Sequence, residues 1–174
     1  MAITDEWHER FNSAIDLVSS YRPFVPKGQG KVWHDQIKSL LFMIGSFNGA
    51  APITEMQVRS TRNSTRERPG TERLGIQRID EVWFYRDRIL AGFEVDSQVN
   101  PNSIRKLMAL GAPLNAIVSG SGSFFREEYR PRLLDTGIVH CVVSCTDDYS
   151  ESVHSVERIV ASLVDKRLHQ STTP

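Results

Sequence analysis

Residues 78–98 read RIDEVWFYRDRILAGFEVDSQ, and the fold turns on how this stretch pairs with itself. Apolar runs on either side of Arg86-Asp87-Arg88 predict two antiparallel strands, Ile79 to Tyr85 and Ile89 to Asp96, joined by a tight turn. A three-residue turn at 86–88 pairs Tyr85 with Ile89 and therefore Asp80 with Glu94. Directly paired side chains share a face, as do side chains two apart on a strand. Asp96 therefore joins them, while Phe93 and Val95 turn into the core. A turn one residue shorter shifts the register by one and sends Asp80 to the opposite face from Glu94. On an exposed strand these acids are simply solvated; converged on one face they repel unless a cation lies among them. That repulsion predicts that Asp80→Asn holds or raises the melting temperature of the metal-free protein.

Carboxylate oxygens suit hard divalent cations. Mg²⁺ takes one or two carboxylates together with waters and substrate phosphate. An ion so held activates water and offsets charge on a phosphate under attack.

The flanking sequence supplies the rest of the fold. Trp7, Phe11, Ile15 and Val18 lie near helical spacing over residues 5–20. YRPFVPKGQGK then reads as a loop. Ile37, Leu40, Leu41 and Ile44 form the stripe of a second helix, with Gly45 and Gly49 at its C-terminal end. A short strand over Ile53 to Val58 follows. Residues 59–78 lack periodicity and read as a long mobile loop. After the hairpin, NPNSIRKLMALGAP is a bounded helix, with Asn and Pro at its start and Gly111 and Pro113 at its close. LNAIVSGS and IVHCVVSC read as strands, FFREEYRPRLLDTG as a broken helix between them, and Ser150 to His169 as a terminal helix. Antiparallel strands first and helix-separated strands later predict an α/β domain with a mixed sheet flanked by helices. It spans residues 1–174, with 1–30 as a helical extension and 171–174 as a frayed tail.

The segment IDEVWFYRDRILAGFEVDSQ resembles the core hairpin of the PD-(D/E)xK superfamily, the restriction-endonuclease-like nucleases. There an Asp begins one strand, a (D/E)-x-K triplet ends the next, and a helix and a buried strand follow. The resemblance covers about residues 33 to 120 on a short, degenerate motif. It implies a restriction-endonuclease-like fold and a Mg²⁺- or Mn²⁺-dependent nuclease cutting phosphodiester bonds, in DNA. Asp80 and Glu94 would hold the metal and act in catalysis. Asp35, on the helix before the hairpin, would complete the shell, with Glu55 and Glu72 as weaker alternatives. The sequence departs from the motif at the lysine, where Asp96 stands as ligand or water-orienting group. Lys106, on the next helix, is a migrated cation in one reading and a solvated lysine in the other. Loss of the lysine leaves open a second reading, a catalytically inactive module for nucleic-acid binding or assembly.

Arg59, Arg62, Arg66, Arg68, Arg73 and Arg78 lead directly into Asp80 and suit phosphate contact, or else keep a loop soluble. Over the whole chain, 21 basic residues balance 21 acidic ones in 174 residues, which excludes a uniformly basic nucleic-acid coat. A neutral chain captures substrate weakly, so a second subunit, a homodimer or another partner, would complete the groove. No apolar run suits a membrane span, and MAITDEWHERF does not suit a signal peptide, so a cytoplasmic location is expected. Cys141 and Cys145 are too few for a disulfide framework. With His140 they fall short of the four ligands of structural zinc and are expected to be buried free thiols.

Overall fold

The computed structural model describes residues 4–26, 29–62, 73–120 and 130–171. Helices α1 (Asp5–Ser20) and α2 (Gly30–Phe47) precede three strands, β1 (Ala51–Arg62), β2 (Arg73–Tyr85) and β3 (Arg88–Asp96). Then come α3 (Pro101–Leu110), β4 (Leu114–Ser119), α4 (Arg130–Asp135), β5 (Val139–Val142) and α5 (Tyr149–Ser171). The five strands form one mixed sheet in the order β1-β2-β3-β4-β5. β1 to β3 are antiparallel neighbours, whereas β3, β4 and β5 run parallel, as the helical crossover through α3 demands.

Each helix buries the face its sequence marks. Trp7, Phe11, Ala14 and Val18 of α1 join Trp33, Ile37, Leu41 and Ile44 of α2 over Trp83, Phe93 and Val95. Helix α1 and Tyr21 therefore contribute to the core. A second cluster on the opposite face packs Ile104 and Leu107 of α3 with Leu133 against Ile79, Val82 and Ile117. Along β4, Ala116 and Val118 belong to the first cluster and Ile117 to the second, which is the two-residue alternation of a strand covered on both sides. Asn100 caps α3 by accepting from the N–H groups of Asn102 and Ser103, and Gly111 ends it at φ +67°. Gly49, at φ +81°, closes α2 as expected, but Gly45 has another role. A Cβ there would lie 2.6 Å from Trp83 Nε1, so the glycine lets α2 approach the sheet.

The hairpin reaches its expected register by an unexpected route. Arg86 and Asp87, at φ 48° and 61°, make a two-residue turn, and Tyr85 pairs with Arg88. That register would send Asp80 and Glu94 to opposite faces. A β-bulge then intervenes: Phe84 pairs with Ile89 but Trp83 with Ala91, leaving Leu90 as the extra residue. Beyond it Val82 meets Gly92 and Glu81 meets Phe93, the register of the three-residue turn.

β1 and β2 are longer than the sequence suggests. Their ladder continues from Ala51↔Phe84 to Arg62↔Arg73, so residues 59–62 and 73–78 are strand rather than loop. The outer part of this ribbon exposes Gln57, Arg59, Leu74, Ile76 and Arg78. On β2 the exposed positions include Leu74 and Ile76 and the half-covered ones are Gly75 and Gln77, so hydrophobic periodicity does not report this strand. Residues 63–72, with Arg66, Arg68 and Glu72, lie outside the described residues, as do 121–129 and the tail 172–174.

Candidate functional site

The β2–β3 pairing ends at Glu81↔Phe93, and at that fork the Asp80 side chain takes a ladder contact. Its Oδ2 accepts the Val95 N–H at 2.8 Å. Its Oδ1 lies 3.4 Å from His34 Nε2 and 3.9 Å from Lys38 Nζ. These two α2 residues are one turn apart and so share the helix face that looks onto the fork. Burial pushes the Asp80 carboxyl up, but the His34 and Val95 hydrogen bonds and the charges of His34 and Lys106 outweigh it. The net result lies below the ordinary aspartate value. His34 is raised in turn, chiefly by its bond to Asp80.

Glu94 enters from β3, fully buried, and forms an ion pair with Lys106 of α3. Lys106 also donates to the Arg78 carbonyl at 2.9 Å, tying α3 to the departing β2. Burial pushes the Glu94 carboxyl up to about 8, opposed by Lys106 and reinforced by the charges of Asp80 and Asp96. Glu94 Oε1 is buried without a hydrogen-bond partner. Asp96 accepts a hydrogen bond from Ser103 in the first turn of α3. Burial raises its carboxyl, with Ser103 and Lys106 opposing. The three hairpin acids thus act on one another electrostatically, but Lys106, His34 and Lys38 stand among them. Among the described residues, no group of three or more His, Cys, Asp or Glu side chains has the arrangement to hold a metal ion.

Asp35 stands one step back. It is 54% exposed, pairs with Lys31 at 2.5 Å, and lies 3.6 Å from His34 Nδ1, so it connects to Asp80 through the imidazole. Glu55 is closer to the fork. At φ 57°, rare for a residue with a side chain, it forms an ion pair with Lys38 and lies 4.0 Å from Arg78. Of the six arginines, Arg59 and Arg78 are exposed on the ribbon, and Arg62 and Arg73 pair through their backbones at its described end.

Three participants escape sequence reading. Lys38 carries one usable signal, its i+4 spacing from His34. Ser103 carries none beyond its place in a helix's first turn. Glu81 reads as one more solvated acid beside Asp80, yet it is fully buried with both oxygens unpartnered. Burial pushes its carboxyl to about 8, against the charge of Lys38.

Elsewhere the cysteines part company. Cys141 is buried, its thiol pushed up to about 12 by burial, whereas Cys145 is exposed beyond the end of β5 at Val142. His140 Nε2 lies 2.7 Å from Ser119 Oγ. Among the described residues no helix is long and apolar enough to cross a membrane. No family model matches the chain, and neither a curated protein nor a solved structure matches it.

Proposed function

We propose that the chain is a metal-dependent nuclease of restriction-endonuclease-like fold that hydrolyses phosphodiester bonds in DNA. The observation that carries this reading is the fork, where Asp80, Glu94 and Asp96 meet a lysine delivered by the following helix. The donor set suits Mg²⁺ or Mn²⁺: all are hard carboxylate oxygens, and Glu94 Oε1 is buried without a partner. Asp80 and Glu94 would hold the ion, with Asp35 reaching the site only through His34. When bound, such an ion supplies Lewis acidity toward the phosphate and lowers the pKa of its water.

The chain's own groups do the remainder. Lys106, beside Glu94, supplies the positive charge that the motif lacks at Asp96. Asp96, turned toward Ser103 and α3, positions rather than contacts the phosphate. Asp80 holds its charge at neutral pH, while Glu94 exchanges its proton near neutrality, so metal and proton compete for one carboxylate.

A second reading has its own observation. Lys106 already neutralises Glu94, and Ser103 already satisfies Asp96, as in a nuclease-fold module that binds nucleic acid without cutting it. Incubating the chain with single- and double-stranded DNA in Mg²⁺, Mn²⁺ or EDTA, beside Glu94→Gln, separates the two. Metal-dependent cleavage lost in the variant supports the nuclease. Binding with neither cleavage nor a Mg²⁺ shift in melting temperature supports the module. Cleavage in EDTA, or by Glu94→Gln at the parent's rate, overturns the site.

A further inference from the structure

The outer ribbon of β1 and β2 carries an exposed apolar pair where a solvated strand has no need of one. Leu74 is 70% exposed and Ile76 67%. Arg59 pairs with Ile76 and Gln57 with Arg78, and Leu74 lies two residues from Ile76, so these five side chains share one face of the ribbon. The opposite face is committed, since Met56 and Val58 pack against the cluster that holds Ile79. The free face leads along β2 from Leu74 through Ile76 and Arg78 to the fork at Asp80.

Charge selects the occupant. Among the described residues of this face the charged side chains are Arg59 and Arg78, both basic and exposed, in a chain whose net charge is zero. A second copy presenting this same face would meet it with like charge. A polyanion would not. Arg78 is 65% exposed, and Glu55, 4.0 Å away, is 44% exposed. A surface pair of that kind is weak, and phosphate can displace it.

We propose that Leu74 and Ile76 are wedge residues that enter the minor groove of duplex DNA and part its base steps, with Arg59 and Arg78 on the flanking phosphates. Leu, Ile and other apolar side chains do this in architectural proteins, unstacking a step and kinking the duplex while basic neighbours hold the backbone. The dimensions agree: side chains two apart on a strand are about 7 Å apart, close to two base-pair steps of about 3.4 Å each. Kinking the duplex beside the fork would bring a strained phosphate toward Asp80 and Glu94. The inference rests on the nuclease reading for its substrate, and on the ribbon alone for its mode of contact.

The test uses the full chain in EDTA, where a metal-dependent enzyme leaves DNA uncut. One duplex carries 2-aminopurine at a central step, and a second carries a donor and acceptor dye at its ends. Binding should raise the 2-aminopurine fluorescence and shorten the end-to-end distance. Leu74→Ser with Ile76→Ser should abolish both signals and weaken binding on the order of tenfold, about 1.4 kcal/mol, while leaving the salt slope unchanged. Arg59→Gln should do the converse, lowering the salt slope by about one while the bound complex still unstacks the step. Because these side chains are exposed, unchanged melting curves will show that the variants fold.

A parent that binds duplex without either signal overturns the wedge, as does a double serine variant that retains both. So does a parent that sediments as a dimer and becomes monomeric in the double variant, which would assign the face to a second copy. In each of those cases metal-dependent cleavage, measured separately, leaves the nuclease reading standing. A parent that neither binds nor cuts DNA overturns both.

Discussion

Replacing Glu81 with Gln is expected to stabilise the metal-free protein, increasingly so as the pH rises. The carboxyl is fully inside the fold and neither oxygen has a hydrogen-bond partner, so burial raises its pKa from 4.5 to about 8 despite the charge of Lys38. The unfolded chain releases this proton near pH 4.5, whereas the folded chain keeps it until about pH 8. Between those values the folded state binds more protons, so its stability falls as the pH rises. The penalty is absent below the window and complete above it. At about 1.4 kcal/mol per pH unit it reaches about 3 kcal/mol at pH 7 and about 5 kcal/mol above pH 8. Gln keeps the shape of the side chain but never ionises. In a chain of this length about 1 kcal/mol moves Tm by about 2–4 °C, so the variant should melt about 6–12 °C above the parent at pH 7. At pH 4.5 the two should melt within about 2 °C of each other. Thermal and urea unfolding in EDTA between pH 4.5 and 8 measures the difference. Glu94, present in both proteins, cancels from it. Parallel pH profiles for parent and variant would refute the reasoning, because they would mean that Glu81 ionises in the folded state as readily as in water.

Asp80→Asn should cost about 1–2 kcal/mol at pH 7, the opposite of what repulsion among bare acids predicts, because the carboxylate accepts from Val95 and faces His34 and Lys38. Its folded pKa is lowered, so this contribution is present above the ordinary aspartate value and lost as the pH falls through the folded one; chemical denaturation at pH 7 and pH 3 checks the sign, and a variant as stable as the parent at pH 7 would contradict it. Lys106→Met should leave Glu94 buried without its cation and cost about 3 kcal/mol at pH 8.5. The loss should be smaller at pH 6, where Glu94 keeps its proton, and equal losses at both pH values would mean that Lys106 acts through packing or the Arg78 carbonyl instead.

What was legible in the sequence was whatever local physics decides. The stripe of Ile37, Leu40, Leu41 and Ile44 marks α2 because a helix repeats its buried face every three or four residues. Asn100, Pro101 and Gly111 bound α3 because they satisfy or release its end groups locally. The outer ribbon was not legible, since on β2 the exposed positions carry the apolar Leu74 and Ile76 while the half-covered ones carry Gly75 and Gln77, so the hydrophobic pattern runs against the alternation of burial. Nor was the burial of Glu81, which depends on α2 lying over the sheet and on nothing in the residues beside it. Lys38 falls in the same class, and Lys106 stays open between a migrated cation and a solvated lysine: a lysine on a helix reads as solvated until the fold supplies a carboxylate for it.

The hairpin shows how a correct register can rest on an incorrect turn. Arg86 and Asp87 both adopt positive φ, which makes the turn one residue shorter than the spacing of the acids requires. Leu90 restores the missing residue as a bulge, and nothing about a leucine in an apolar run announces that it will be the unpaired one. The two departures cancel only on the far side of the bulge, toward Asp80 and Glu94. Near the turn the one-residue shift remains, and there it affects Tyr85 and Arg88, which carry no acid. The bulge therefore matters to the site more than the turn does. A hairpin without it would carry the two-residue register to the fork and set Glu81 against Gly92 instead of Phe93. Tying the Asp80 carboxylate to the Val95 N–H then fixes that register at the point where Lys106 arrives from α3.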